Sequence, residues 1–106
     1  MFRVKILTAY PEMFPGNLIH SLMGKALEEK KFIIETIDLH KFGVDQRKSI
    51  DDEPFGGGPG MVLRADVIEK ALLSIQSSSK IGSKRIFLTP SGCPLNQEKL
   101  VVLSKL

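Results

Sequence analysis

The strongest constraint on the fold is a change in apolar spacing along the first third of the chain. Phe2, Val4 and Ile6 alternate with Arg3 and Lys5, the period of a strand with one wetter face, and Pro11 and Pro15 punctuate the turn that follows. From residue 16 the period lengthens: Leu18, Ile19, Leu22, Met23, Ala26 and Leu27 fall on one helical face, largely opposite Ser21, Lys25, Glu28 and Glu29, which predicts an amphipathic helix ending near Lys30. Residues 31–39 bring Phe32, Ile33, Ile34 and Ile37, a β-branched cluster too short and irregular for another helix. Strand, helix and strand predict a βαβ unit, and with it a parallel sheet with right-handed crossovers, an α/β fold.

Length and composition narrow the class further. The 106 residues suit one domain, burying roughly two-thirds of its unfolded surface. Charged residues at 25% and hydrophobic ones at 42% exclude disordered and collagen-like chains. Charge inside the apolar run at Phe2 to Lys5 is unlike a secretion signal or transit peptide, and no apolar stretch approaches membrane-spanning length, so a cytoplasmic protein is expected. Cys93 is the single cysteine, which excludes an intrachain disulfide and a cysteine-rich zinc site; a buried or idle thiol is expected. Residues 1–53 hold eight Lys/Arg against nine Asp/Glu, and residues 54–106 seven against three. The basic second half suits a phosphate-rich partner, although so small a surplus is also common on solvated surfaces.

Beyond residue 39 the periodicity lapses until residue 64. This segment contains Asp51-Asp52-Glu53-Pro54-Phe55-Gly56-Gly57-Gly58-Pro59-Gly60-Met61, more than half glycine or proline, which reads as a shaped loop with neither helix nor strand. Glycine opens backbone angles closed to other residues and allows close approach, while proline fixes its own φ and restricts its neighbour. Two phosphate-binding readings fail. A Walker loop ends in Gly-Lys-Ser/Thr, and Gly60 is followed by Met61 and Val62; a dinucleotide fingerprint opens a helix directly, and position 61 is Met61. What remains is a loop whose backbone amides, with Asp51 and Asp52, suit a flat hydrogen-bonding group such as a nucleobase, against the plain alternative of a rigid surface turn with solvated acids. Asp51, Asp52 and Glu53 make a poor metal site because consecutive side chains point apart and no histidine accompanies them; a hydrated Mg²⁺ is the most they would take.

Asp66 and Glu69 have capping-box spacing ahead of Ile68, Ala71, Leu72 and Ile75, predicting a second helix, which Ser77-Ser78-Ser79 and Gly82 would end. Residues 84–89, with Ile86, Phe87 and Leu88, read as a third strand, and Pro90-Ser91-Gly92 as a tight turn. Asn96 is placed to cap a third helix carrying Leu100, Val101 and Leu103, a pattern still running at Leu106, as in a piece of a longer protein. Parallel sheets bind ligands beyond the carboxyl ends of their strands, so residues 9–15, 40–64 and 90–96 are expected to converge there. Leu88 to Gly92 could line a pocket for an adenine, although a plain turn explains it as well. His20 and His40 lack a Ser, Cys or carboxylate at a telling spacing and read as structural or solvated; Met13, Met23 and Met61 read as packing residues.

Tyr10-Pro11-Glu12-Met13-Phe14, the stretch from Asp51 to Met61, and Leu88-Thr89-Pro90-Ser91-Gly92, in this order and spacing, closely resemble the first part of the bacterial tRNA (guanine-N1)-methyltransferases. That resemblance implies a SPOUT fold, an α/β domain with a trefoil knot, acting as a homodimer with its site at the subunit interface. It implies methylation of N1 of guanosine 37 of tRNA, beside the anticodon, from S-adenosylmethionine. Leu88, Thr89, Pro90 and Gly92 correspond to the first adenosylmethionine loop, and Asp51, Gly56 and Gly60 to the loop that holds the target guanosine and its neighbour. Ser91 stands in place of a glutamine, Glu53 of an arginine and Phe55 of a tyrosine. The family's knot-forming Gly-Arg-Tyr-Glu-Gly stretch and its general-base aspartate find no counterpart in these residues. N1 of guanine carries a proton at neutral pH, so transfer needs a base within hydrogen-bond reach, and none is evident. The expectation is an active parent enzyme whose 106-residue piece is inactive alone; the alternative is a complete, non-catalytic RNA-binding module.

Overall fold

The computed structural model describes residues 2–76 and 83–106. Strands β1 (Phe2–Thr8) and β2 (Phe32–Asp38) pair in parallel, in register from Phe2 opposite Phe32 to Thr8 opposite Asp38. Their charged residues share the wetter face: Arg3 donates to Glu35 at 2.9 Å. The crossover holds 3₁₀ turns at Pro11–Met13 and Gly16–Ile19 and then helix α1 (Ser21–Glu28). The predicted βαβ unit is present.

The crossover helix is shorter than predicted. His20 has an extended backbone, so Leu18 and Ile19 belong to the preceding turn and do not lie on the helix. That turn folds back on α1 so closely that a Cβ at Gly24 would collide with the Ile19 carbonyl, and Gly24 is the helix's only buried residue. The predicted apolar face is largely uncovered, with Leu22 81% exposed. α1 closes in a Schellman arrangement in which Lys31 N–H donates to the Ala26 carbonyl at 2.9 Å and Lys30 N–H to that of Leu27 at 3.1 Å. Lys30, at φ +56°, takes the left-handed position that glycine usually fills.

The segment from 40 to 64 contains regular structure that its spacing conceals. A 3₁₀ turn at Leu39–Phe42 leads to β3 (Asp51–Asp52), which pairs antiparallel with β4 (Val62–Leu63). The glycine stretch therefore closes a short hairpin, and its first two residues are strand, contrary to the expectation. A two-residue ladder is below what alternation can signal, and the cross-strand partner supplies the pairing.

Helix α2 (Ala65–Gln76) begins one residue before Asp66, because Ile68 N–H donates to the Arg64 carbonyl at 3.2 Å. The capping box is not formed: Asp66 lies inside the first turn, and its carboxylate takes Arg64 and Val67 N–H. The predicted end of this helix at 77–82 lies outside the described residues. Helix α3 (Gln97–Ser104) starts as predicted, with Asn96 Oδ1 accepting from Lys99 N–H at 2.8 Å, and ends at Ser104.

The core is small and local. Leu39, Ile50, Val67 and Ala71 are its buried residues, placed where the carboxyl ends of β1 and β2, the foot of the hairpin and α2 converge. The radius of gyration, 16.1 Å, exceeds the about 13 Å of a compact domain this long. The predicted third strand is not formed: residues 83–89 take no strand pairing among the described residues, with Phe87 78% and Leu88 89% exposed. A strand is defined by a neighbour's backbone; here Arg85 and Phe87 flank an open groove of about 630 Å³ along β4 and α2.

Candidate functional site

Parallel pairing sets Thr8 beside Asp38, so the turn after β1 and the segment after β2 leave the same sheet edge. Asp38 accepts from His40 N–H at 3.0 Å and lies 3.2 Å from His40 Nδ1, which stiffens the exit from β2. Sequence reasoning left His40 without a carboxylate; an Asp two residues ahead of a turn was the available signal. Downstream, Asp45 accepts from the N–H groups of Arg47 and Ser49 at 2.9 and 3.1 Å and from the Ser49 hydroxyl. The Ser49 backbone bond, then its hydroxyl, holds the Asp45 carboxyl below the ordinary carboxylate range. Ile50, buried, anchors this turn in the core and hands the chain to β3.

The two aspartates of the hairpin differ in use. Asp52 accepts from Glu53 N–H at 2.8 Å and from an Arg64 terminal nitrogen at 3.1 Å. Asp51, opposite Leu63 and exposed, makes no side-chain hydrogen bond among the described residues. Between the strands, Gly57 N–H donates to the Pro54 carbonyl at 3.1 Å, closing a turn with Gly56 at φ +81° in its third position. Gly57, Gly58 and Gly60 follow at φ +81°, +115° and +87°. A Cβ on any of these four would meet open space, so in this structure the backbone angle requires glycine and crowding does not. Phe55, at the turn's second position, is fully exposed.

Arg64 ties the hairpin to α2. Its Nε and one terminal nitrogen fork onto Asp66 at 3.1 and 3.2 Å, while the other terminal nitrogen reaches Asp52. The fork holds the Asp66 carboxyl below its usual range and raises the guanidinium further. Arg64 was not singled out from sequence; the acids two residues after it and twelve before it become partners only once the hairpin closes.

The second predicted segment is a turn bonded within itself. Thr89 and Ser91 share a hydroxyl contact at 3.1 Å, and Gly92 N–H donates to the Thr89 carbonyl at 3.2 Å, so the turn after Leu88 forms as predicted. Its bonds are internal, and Leu88, Thr89, Pro90 and Gly92 are exposed. The structure thus brings Asp51, Gly56 and Gly60 into one hairpin, and among the described residues no hydrogen bond joins that hairpin to the 88–92 turn. Cys93, expected buried or idle, is exposed. No described group of three or more His, Cys, Asp or Glu residues is placed to hold a metal, so the hydrated Mg²⁺ finds no support. No described helix is long and apolar enough to cross a membrane.

Known proteins match nearly the whole chain. The chain is 47% identical over 98 residues to a tRNA (guanine-N(1)-)-methyltransferase of Ehrlichia ruminantium (strain Gardel), covering 92% of this chain and 41% of that protein. It is 49% identical over 96 residues to the like-named protein of Wolbachia pipientis wMel, covering 91% and 40%. The crystal structure of tRNA (m1G37) methyltransferase from Aquifex aeolicus superposes with a TM-score of 0.80 at 29% identity, covering 99% of this chain and 47% of that one. The chain thus spans about two-fifths of the length of these curated relatives. The α/β, parallel-sheet fold of the SPOUT methyltransferases is the one observed. With residues 2–106 matching the family described as "tRNA (Guanine-1)-methyltransferase TrmD", the chain belongs to that family.

Proposed function

We propose that the whole protein containing these residues transfers a methyl group from S-adenosylmethionine to N1 of guanosine 37 of tRNA, next to the anticodon. The observation that carries this reading is the hairpin of a family member: an Asp51 with no side-chain hydrogen bond among the described residues, beside a loop of positive-φ glycines whose flanks are open. A guanine presents its N2–H donors beside N1, so a carboxylate that accepts from N2–H holds the base edge and leaves N1 open, and exposed backbone groups at Gly56 and Gly60 suit its remaining edge. Leu88, Thr89, Pro90 and Gly92 would form one wall of the cofactor site. The sulfonium donor supplies an electrophilic methyl group.

The remaining steps fall to protein groups. As the N1–C bond forms, the donor's sulfonium S–C bond would break and its electron pair leave on the thioether, while the N1 proton must pass to a base and charge on O6 must be stabilised. Asp51 is suited to hold the base edge, and the base itself is expected in the parent beyond these residues. We therefore read residues 1–106 as the N-terminal portion of a SPOUT domain, inactive alone. Further cofactor loops, the trefoil knot, a linker and a C-terminal tRNA-binding domain belong to the rest of the parent, a cytoplasmic homodimer. The uncovered apolar face of α1, with Leu22 and Met23 exposed, is compatible with such an interface.

The test incubates the full-length protein, and separately the 106-residue piece, with tRNA and labelled S-adenosylmethionine, followed by nucleoside mass spectrometry. The proposal expects 1-methylguanosine from the parent and none from the piece. A parent that binds tRNA without methylating it would favour the non-catalytic RNA-binding module.

A further inference from the structure

We infer that Arg64 is a positioning residue for nucleotide recognition: through Asp52 it sets the orientation of the glycine hairpin and leaves Asp51 free to meet the base. The inference rests on the functional reading above. It starts from the weakness of the hairpin itself, whose ladder is two residues long, too short for independent stability. The ladder ends in the bond from Arg64 N–H to the Ile50 carbonyl at 2.7 Å, and one side chain holds it from outside: the Arg64 guanidinium spans Asp52 on β3 and Asp66 on α2.

A guanidinium does this where an ammonium would not, because its planar fork satisfies Asp66 with two parallel bonds and still presents a third donor to Asp52. The bond from Glu53 N–H to Asp52 fixes how the chain leaves the strand and enters the glycine turn. Successive strand residues project to opposite faces, so tying Asp52 to α2 presents Asp51 on the other face. One aspartate of the pair is thereby spent on the fold and the other kept for a ligand. Arg64 is partly buried and its carbonyl accepts from Ile68 N–H at the start of α2, whose Val67 and Ala71 lie in the core, so the hairpin's orientation is referred to the core through α2.

The experiment uses the full-length protein and the variants Asp52→Asn, Arg64→Met, Arg64→Lys and the double Asp52→Asn/Arg64→Met. Asp52→Asn keeps an acceptor for Glu53 N–H and removes the charge and the acceptor that face Arg64. Steady-state methylation gives KM for tRNA and for the methyl donor separately, with Tm and amide exchange at Gly57 recorded alongside. Expected is a loss in kcat/KM for tRNA of roughly tenfold to a hundredfold for Arg64→Met, with KM for the donor and Tm unchanged. Exchange at Gly57 should quicken, Arg64→Lys should recover only part of the loss, and the double variant should be no worse than the worse single. Wild-type kcat/KM for tRNA in both singles, additive losses, or parallel losses for both substrates with a fallen Tm would each overturn the inference. An inactive wild type would overturn the functional reading instead, and Gly57 exchange in Asp52→Asn, which needs no activity and involves an exposed side chain, would still decide the clamp.

Discussion

Replacing Gly56 by alanine isolates what the glycine loop contributes before any ligand arrives. The Gly57 N–H to Pro54 carbonyl bond and φ +81° at Gly56, with Phe55 not among the positive-φ residues, identify a type II turn. An L-alanine held there costs about 1–2 kcal/mol, a factor of roughly 5–30 in population. Nothing lies within 4 Å of the added methyl to increase that figure. The cheaper escape is to flip the Phe55–Gly56 peptide into a type I turn, which turns the amide of residue 56 and the Phe55 carbonyl to the opposite side. The assay is the NOE between Phe55 Hα and the amide proton of residue 56, strong in type II and weak in type I. Gly56→Ala should weaken it sharply, whereas D-alanine, at ease with positive φ, should preserve it. An undiminished NOE in Gly56→Ala would refute the argument from backbone angle. D-alanine that keeps the turn yet abolishes tRNA binding by the parent would show that the open flank is where the nucleotide's backbone approaches.

Four further outcomes follow from the geometry. Leu39→Ala, at a site 2% exposed among Ile50, Val67 and Ala71, should cost about 2–5 kcal/mol in urea denaturation, and a loss below about 1 kcal/mol would remove Leu39 from the core. Lowering pH should leave the Asp45 turn intact through the range where ordinary carboxylates protonate. Its folded pKa is depressed by the Ser49 bonds, so its stabilisation holds above the unfolded value and is lost only as pH falls through the folded one; NMR titration of Ser49 N–H checks this, and opening near pH 4 would contradict it. Asn96→Ala should lower the stability of α3 by about 1 kcal/mol and Asn96→Asp should not, as read by exchange at Lys99. Lys30→Gly should stabilise the chain by up to about 1 kcal/mol by relieving the left-handed C-terminal residue of α1, and a lower Tm would refute that.

Much of the architecture was legible because it rests on local periodicity. Alternation in Phe2 to Ile6 and the cluster from Phe32 to Ile37 marked two strands that pair as predicted, and Asn96 marked a cap that forms. The first helix was marked but overextended, because spacing carries no record of the break at His20. The glycine stretch was legible as a special backbone, and the four positive φ values agree. Its two-residue strands were not, since a ladder that short exists only through its partner. Residues 84–89 show the converse: Ile86, Phe87 and Leu88 have strand composition, and without a neighbouring backbone no strand forms. The Arg64 clamp was illegible because Asp52 and Arg64 are brought together by the hairpin and by nothing in their spacing.

The sequence by itself determined the βαβ order, the need for glycine between Pro54 and Met61, and the family to which the motifs belong, because backbone preference, apolar period and motif spacing are local properties. Tertiary structure alone decided that Asp52 is held by Arg64 while Asp51 has no such partner among the described residues, that the loop is joined to a core of Leu39, Ile50, Val67 and Ala71, and that the 88–92 turn forms with exposed residues and internal bonds. Those facts depend on which distant groups meet, and contact across the fold carries no signature in spacing along the chain.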